Sequence, residues 1–121
     1  MDRTLLLVGA VTGFIAVGFG AFGAHGLRGR LSPEMLTVFE TGVRYQMYHA
    51  LAILVTAVGL GFVDARLLRL SGWLFAVGIV LFSGSLYGLA LTGATRLGMI
   101  TPLGGLAFLA GWALLIVAAL R

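Results

Sequence analysis

Two histidines, three tyrosines and two closely spaced serines are the side chains of this sequence best suited to proton transfer, metal ligation or solute contact. His25 stands in GAFGAHG, residues 20–26, among glycines and alanines. His49 follows Tyr45 by four residues, and Ser83, Ser85 and Tyr87 alternate along a later segment. An imidazole titrates near neutrality, so either histidine suits a proton carrier. Two imidazoles from separate helices also suit haem iron. Haem needs room, however, and the small-residue stripes described below imply tight packing. A zinc catalyst needs three protein ligands, and no acidic third ligand faces His49. No phosphate-cradling glycine loop is present, and neither Asp2 nor Asp64 can complete a Ser–His–Asp set. With zero cysteines there is no thiol chemistry. The expectation is a protein without catalytic residues, metal or cofactor.

The distribution of charge says what must hold these side chains. Charged residues make up 10% of the 121 positions, against about 25% in soluble domains, while 60% are hydrophobic. Mean hydropathy is +1.10. A soluble domain of this size cannot hide so much apolar surface. The charges leave four uncharged runs, 4–27, 45–63, 70–95 and 97–120. Each supplies the roughly 20 residues that cross a hydrocarbon core of about 30 Å, where a central charge is costly. The short alternating segments of a β-barrel are absent. The predicted fold is all-α: an integral membrane four-helix bundle of antiparallel up-down topology, one domain over 1–121, with spans at about 5–24, 45–63, 70–91 and 99–120. The apolar run after Asp2 and Arg3 is too long for a signal-peptide core and is read as a retained span. In RLSPEML, Ser32 suits a helix N-cap, Pro33 the first helical position, and Glu34 the positive end of the helix dipole. An interfacial helical segment is therefore expected before span 2.

Short connections at 64–69 and around TGATRLG make neighbouring spans antiparallel hairpins. The end of span 1, the start of span 2, the end of span 3 and the start of span 4 then share one membrane face. That half holds the candidate polar cluster, His49, Tyr45, His25, Ser83, Ser85 and Tyr87, together with Tyr48, Thr92 and Thr101. His49 is expected to point into the bundle. Its two readings are an interior imidazole bonded to Tyr45, a serine hydroxyl or a backbone carbonyl, and a proton-responsive or solute-contacting group. His25 with Gly26 reads as a helix end: an imidazole near the negative dipole pole, then a glycine free to turn left-handed. Glu40 and Arg44 stand i, i+4 in the order that favours an interfacial ion pair. Gly9, Gly13, Ala16, Gly20 and Gly23 step by 4, 3, 4 and 3, and Gly104 and Gly111 mark span 4. Such stripes let helix backbones approach closely in lipid, and these glycines are predicted to be packing residues.

The segments GAFGAHGL, FETGVRYQMYHALAILV, LFSGSLYGLAL and TPLGGLAFLAGWALL together resemble the domain of unknown function 423 family. These are the YgdD-like small four-span membrane proteins, related to the eukaryotic transmembrane protein 256 family. The likeness covers almost the whole chain in order. It implies an integral inner-membrane protein of bacteria, and it brings no catalytic residues with it. His25, Tyr45, Gln46, His49, Ser83, Ser85, Tyr87, Pro102, Gly104, Gly105 and Trp112 stand inside the motifs that carry it.

The sequence thus points to a non-enzymatic membrane protein acting through helix–helix contacts, as an accessory or scaffold subunit or a homo-oligomer. Its partners are membrane lipid and either its own copies or a larger membrane complex. The eight arginines flank spans rather than forming a basic stripe with interleaved aromatics, so nucleic acid is not expected. The alternative is an oligomeric small-solute or ion pathway using the interior His/Tyr/Ser cluster. Arg3, Arg66, Arg69 and Arg121 lie on one face and Arg28, Arg30, Arg44 and Arg96 on the other, a tie under the positive-inside rule. Neutralisation of Arg44 by Glu40, and the distance of Arg30 from a span end, favour cytoplasmic termini.

Overall fold

Polar residues at the helix starts set most of the boundaries. In the computed structural model, which describes residues 1–121, the chain is all-helical and contains no strand. Helix α1 is Arg3–His25, and its N-cap Asp2 accepts a hydrogen bond from the Leu5 amide. Helix α2 is Pro33–Val58, capped by Ser32, which accepts from the Met35 amide. The expected interfacial segment and the second apolar run are thus one continuous helix of 26 residues, roughly 39 Å long at 1.5 Å per residue. Asp64 caps α3, Ala65–Thr92, by accepting from the amides of Arg66 and Leu67. A short 3₁₀ turn, Thr95–Met99, leads into α4, Thr101–Leu120, with Pro102 in its first turn. These caps satisfy amides that a helix start leaves without intrahelical partners.

Two local features differ from what the sequence suggests. Gly26 is not the left-handed residue after α1. Its φ is −84°, and its amide still donates to the Phe22 carbonyl. The aromatic ring of Phe22 lies 2.7 Å from where a Gly26 Cβ would be, so the glycine serves a close approach. The left-handed turn comes three residues later, at Gly29 with φ +84°, and another closes α3 at Gly93 with φ +72°. The second feature is a π-helical turn, Ile79–Ser83, in the middle of α3. It inserts a wider turn where Gly78 and Gly104 bring α3 and α4 together: a Cβ on Gly78 would meet the Phe108 ring, and one on Gly104 the Phe82 backbone.

Three helices, Arg3–His25, Ala65–Thr92 and Thr95–Leu120 (α4 with the turn before it), are long and apolar enough to cross a membrane. α2 is not among them, because Arg44, Gln46 and His49 interrupt its apolar run. It is nevertheless an interior helix. Phe39, Gly42, Gln46, His49, Ala50, Ala52, Ile53, Thr56 and Ala57 are all buried on it. Its most polar uncharged side chains therefore meet protein, where they are tolerated, rather than lipid. The main core joins Leu5, Ala52, Ile53, Ala57, Phe75, Ile79 and Phe108. A smaller cluster of Leu27, Phe39 and Ala90 ties down the first connection. Large apolar side chains such as Phe14, Val17, Leu106 and Ile116 stay exposed on the outer faces. In water so much apolar surface would drive association; against acyl chains it faces a matching solvent.

Candidate functional site

His49 is buried in the middle of α2, and both its ring nitrogens are engaged. Nδ1 lies 2.7 Å from the backbone carbonyl of Tyr45, one turn earlier, and Nε2 lies 3.1 Å from the indole Nε1 of Trp112 on α4. A carbonyl only accepts and an indole N–H only donates. The arrangement therefore requires a neutral imidazole that carries its proton on Nδ1. The ring also stacks on Phe108, with centroids 3.5 Å apart and planes within 7°. Phe75 and Tyr45 close it in from the sides. The interior bond to a backbone carbonyl was among the expectations, whereas Trp112 as its second partner was not.

Apart from Tyr45, the members of the predicted cluster do not converge on His49. Ser83, fully buried in the π turn, donates to the Gly42 carbonyl of α2 at 2.7 Å. Ser85 bonds the Phe82 carbonyl at 2.9 Å and the Thr101 hydroxyl at the start of α4 at 2.6 Å. Tyr87 donates to the Gln46 side-chain oxygen at 2.6 Å, and the Gln46 amide donates to the Thr12 carbonyl at 2.8 Å, so one chain of bonds links α3, α2 and α1. Ser71 donates to the Gly111 carbonyl at 2.7 Å. No buried side-chain nitrogen or oxygen is left without a partner. His25 is exposed at the end of α1 and makes no side-chain hydrogen bond.

Gln46 is the only side-chain amide in the sequence and sits within an uncharged run. That singularity was the available signal for its role. Ser71 carried no such signal, since its partner is a backbone carbonyl on a distant helix.

The glycines separate by how much room they have. A Cβ on Gly9 would sit 2.7 Å from Leu54, on Gly23 3.0 Å from the Phe39 ring, and on Gly111 2.6 Å from Phe75. Gly20 would make only a snug contact with Val43 at 3.4 Å, and Gly13 an ordinary one with Ala50 at 3.8 Å. Gly42 and Gly72, buried on α2 and α3, are also tight: a Cβ would approach Tyr87 at 2.8 Å and Thr56 Oγ1 at 2.5 Å respectively.

Glu40 and Arg44 do not form the expected ion pair. The ion pairs of the chain are instead Asp2–Arg69 at 3.3 Å and Asp64–Arg121 at 3.4 Å. An exposed i, i+4 pair is worth at most about 0.5 kcal/mol, too little to hold two long side chains against solvent and the neighbouring cleft they line. Asp2 and Asp64 gain more from their caps. The Leu5 amide, helped by Thr4 and Arg69, holds the Asp2 carboxyl below the ordinary value of 3.8. The Leu67 amide, helped by Arg66 and Arg121, does the same for Asp64.

Two of the surface recesses are lined by polar or charged side chains. A groove of about 760 Å³ runs between α2 and α4, lined by Tyr45, Tyr48, His49, Phe82, Phe108, Leu109 and Trp112. Gly105 lies on it with open space where its Cβ would be. A smaller cleft between α1 and α2 is lined by Phe19, Gly20, Gly23, Phe39, Glu40, Val43 and Arg44.

Residues 19–105 match the family described as "Protein of unknown function (DUF423)". The UPF0382 membrane protein YwdK of Bacillus subtilis (strain 168) is 47% identical, with 98% of each chain covered. The UPF0382 membrane protein SH2409 of Staphylococcus haemolyticus (strain JCSC1435) is 46% identical over 98% of this chain and 97% of its own. No solved structure matches.

Proposed function

The chain belongs to the DUF423 family of membrane proteins of unknown function, and we propose that it is a non-enzymatic protein of the bacterial inner membrane that crosses the bilayer four times in antiparallel fashion and acts through helix–helix contacts. It serves as an accessory or scaffold subunit, or as a homo-oligomer. The observation that carries this reading is the complete internal use of the buried polar groups. His49–Trp112, Ser71–Gly111, Ser83–Gly42 and Tyr87–Gln46–Thr12 each join two or more helices. They act as interhelical glue and leave no free acid, base or nucleophile aimed into a common space. The same bonds remove the support for a solute pathway, because Ser83, Ser85 and Tyr87 face three different partners.

The fourth crossing is α2. Its Gln46, His49 and Thr56 side chains are enclosed by protein, and Gly9 meets Leu54 while Gly23 meets Phe39, so that α1 and α2 lie along one another in opposite chain directions. The absence of cysteine permits a direct test. Single cysteines at Arg30 and Phe62, both exposed, should react with an impermeant thiol reagent from opposite sides of the membrane; labelling from the same side would remove the fourth crossing. The termini are assigned to the cytoplasm on the remaining asymmetry, the distance of Arg30 from a span end, since Glu40 does not neutralise Arg44.

The α2–α4 groove is the surface offered for helix contact. Gly105→Leu fills it without touching the packed core. Native mass spectrometry from mild detergent should find the wild type with its own copies or with a larger complex, and Gly105→Leu without them. Wild-type monomers in every mild detergent would overturn the reading.

A further inference from the structure

The small cleft between α1 and α2 holds two opposite charges that do not satisfy each other. Glu40 and Arg44 both line it, one helical turn apart on α2, and neither makes a side-chain hydrogen bond or ion pair elsewhere in the chain. Its floor is Gly20 and Gly23, and its walls are Phe19, Phe39 and Val43. The depth of the cleft follows from α2. α2 runs from Pro33 at the water side inward to Val58, so Arg44 is the deeper of the two charges. Glu40 lies one turn further out, about 6 Å at 1.5 Å per residue. From water inward the cleft therefore presents a carboxylate and then a guanidinium, with Phe39, Val43 and Phe19 as apolar walls beside them.

We infer that this cleft binds one zwitterionic aminophospholipid, of the phosphatidylethanolamine class. Such a lipid carries its charges in the complementary order: ammonium outermost, phosphate below it, acyl chains deepest. The ammonium donates its N–H groups to the Glu40 carboxylate. The Arg44 guanidinium, whose planar fork matches phosphate oxygens, takes the phosphate. The glycerol and upper acyl segments lie along Phe19 and Val43, beside Gly20, which adds no side chain to the cleft. A phosphatidylglycerol lacks the ammonium and sets its negative phosphate near Glu40 with nothing in return. A choline head has no N–H to donate. The inference rests on α2 crossing the membrane, which the cysteine labelling at Arg30 and Phe62 tests without reference to any lipid.

The experiment is native mass spectrometry of the full chain released from nanodiscs. These contain equal parts of phosphatidylethanolamine, phosphatidylglycerol and phosphatidylcholine of matched acyl chains. The wild type should retain one phosphatidylethanolamine in preference to either competitor, on the order of fivefold, the scale of one partly exposed charge pair. Glu40→Gln should erase the preference over phosphatidylglycerol, and Arg44→Gln should weaken retention of both phosphate lipids. These two variants lie on the surface and leave the core intact, so their result does not depend on whether Gly20→Leu, which fills the cleft, still folds. An excess of water-soluble phosphoethanolamine should not displace the lipid, because the apolar walls contribute to holding it. Equal retention of the three lipids by the wild type, an unchanged preference in Glu40→Gln, or displacement by soluble phosphoethanolamine would overturn the inference.

Discussion

Gly104 and Gly105 are neighbours on α4 with opposite surroundings, and they isolate the cost of helix contact. A methyl group at Gly104 would fall onto the Phe82 backbone, with the Phe82 Cα and Cβ each 2.7 Å from its position. Carbon atoms in contact settle at about 3.5–4.0 Å, so the two helices must separate by roughly 1 Å. Overpacking of this kind costs about 1–3 kcal/mol. The upper end applies, because the obstacle is helical backbone that cannot rotate away. Alanine returns up to about 1 kcal/mol of helix propensity, which leaves a net loss of about 2 kcal/mol. At Gly105 nothing lies within 4 Å of the added Cβ, so only the propensity gain applies. Equilibrium unfolding in mixed micelles should therefore show Gly104→Ala clearly destabilised and Gly105→Ala equal to the wild type or slightly more stable. A Gly104→Ala as stable as the wild type would refute the close contact at the π turn. Equal losses at both positions would show that α4 does not present these two faces as described.

Removing the His49 ring should cost more than removing a serine. His49→Ala loses the stack on Phe108 and leaves the Trp112 N–H without its acceptor, and should lower stability by about 3 kcal/mol in the same unfolding assay. His49→Phe keeps the stack and should recover part of that loss, with the Trp112 fluorescence altered in both variants. Ser71→Ala and Ser83→Ala each delete a bond to a carbonyl across helices and should cost only about 0.6 kcal/mol apiece; losses of several kcal/mol would mean that the serines do more than bridge helices. Asp2 and Asp64 are held below their ordinary value of 3.8 by helix-start amides. Their stabilisation is complete above that value and is lost as pH falls through the lower folded one. Thermal unfolding followed from pH 5 downward should weaken in the wild type and be flatter in Asp2→Asn/Asp64→Asn.

Much of the architecture was legible because its causes are local. Charge costs too much inside lipid, so the spacing of Arg28, Arg44, Arg69 and Arg96 outlines the apolar helices. Ser32 marks a helix start because an oxygen acceptor must meet free amides, whereas 64–69, expected to be a connection, is instead the Asp64 cap and the first residues of α3. The small residues of α1 share one packing face, as their 3.5-residue spacing requires, and the fold sets that face on α2. Legibility ended where the outcome depends on the partner. Glu40 and Arg44 have ideal spacing for a pair, yet the pair is worth so little that the adjoining cleft decides where they go. Gly26 and Gly29 offer the same freedom, and the Phe22 ring selects which one turns left-handed.

The sequence by itself determined that the chain is a helical membrane protein, that a helix begins at Pro33, and which faces carry small residues, because lipid and backbone amides impose those choices residue by residue. Only the tertiary structure decided that Trp112 answers His49, that Gln46 joins three helices and that α3 widens into a π turn opposite Gly104. Each of these depends on which atoms a distant helix brings within hydrogen-bond or contact distance, and no local pattern in the chain encodes that.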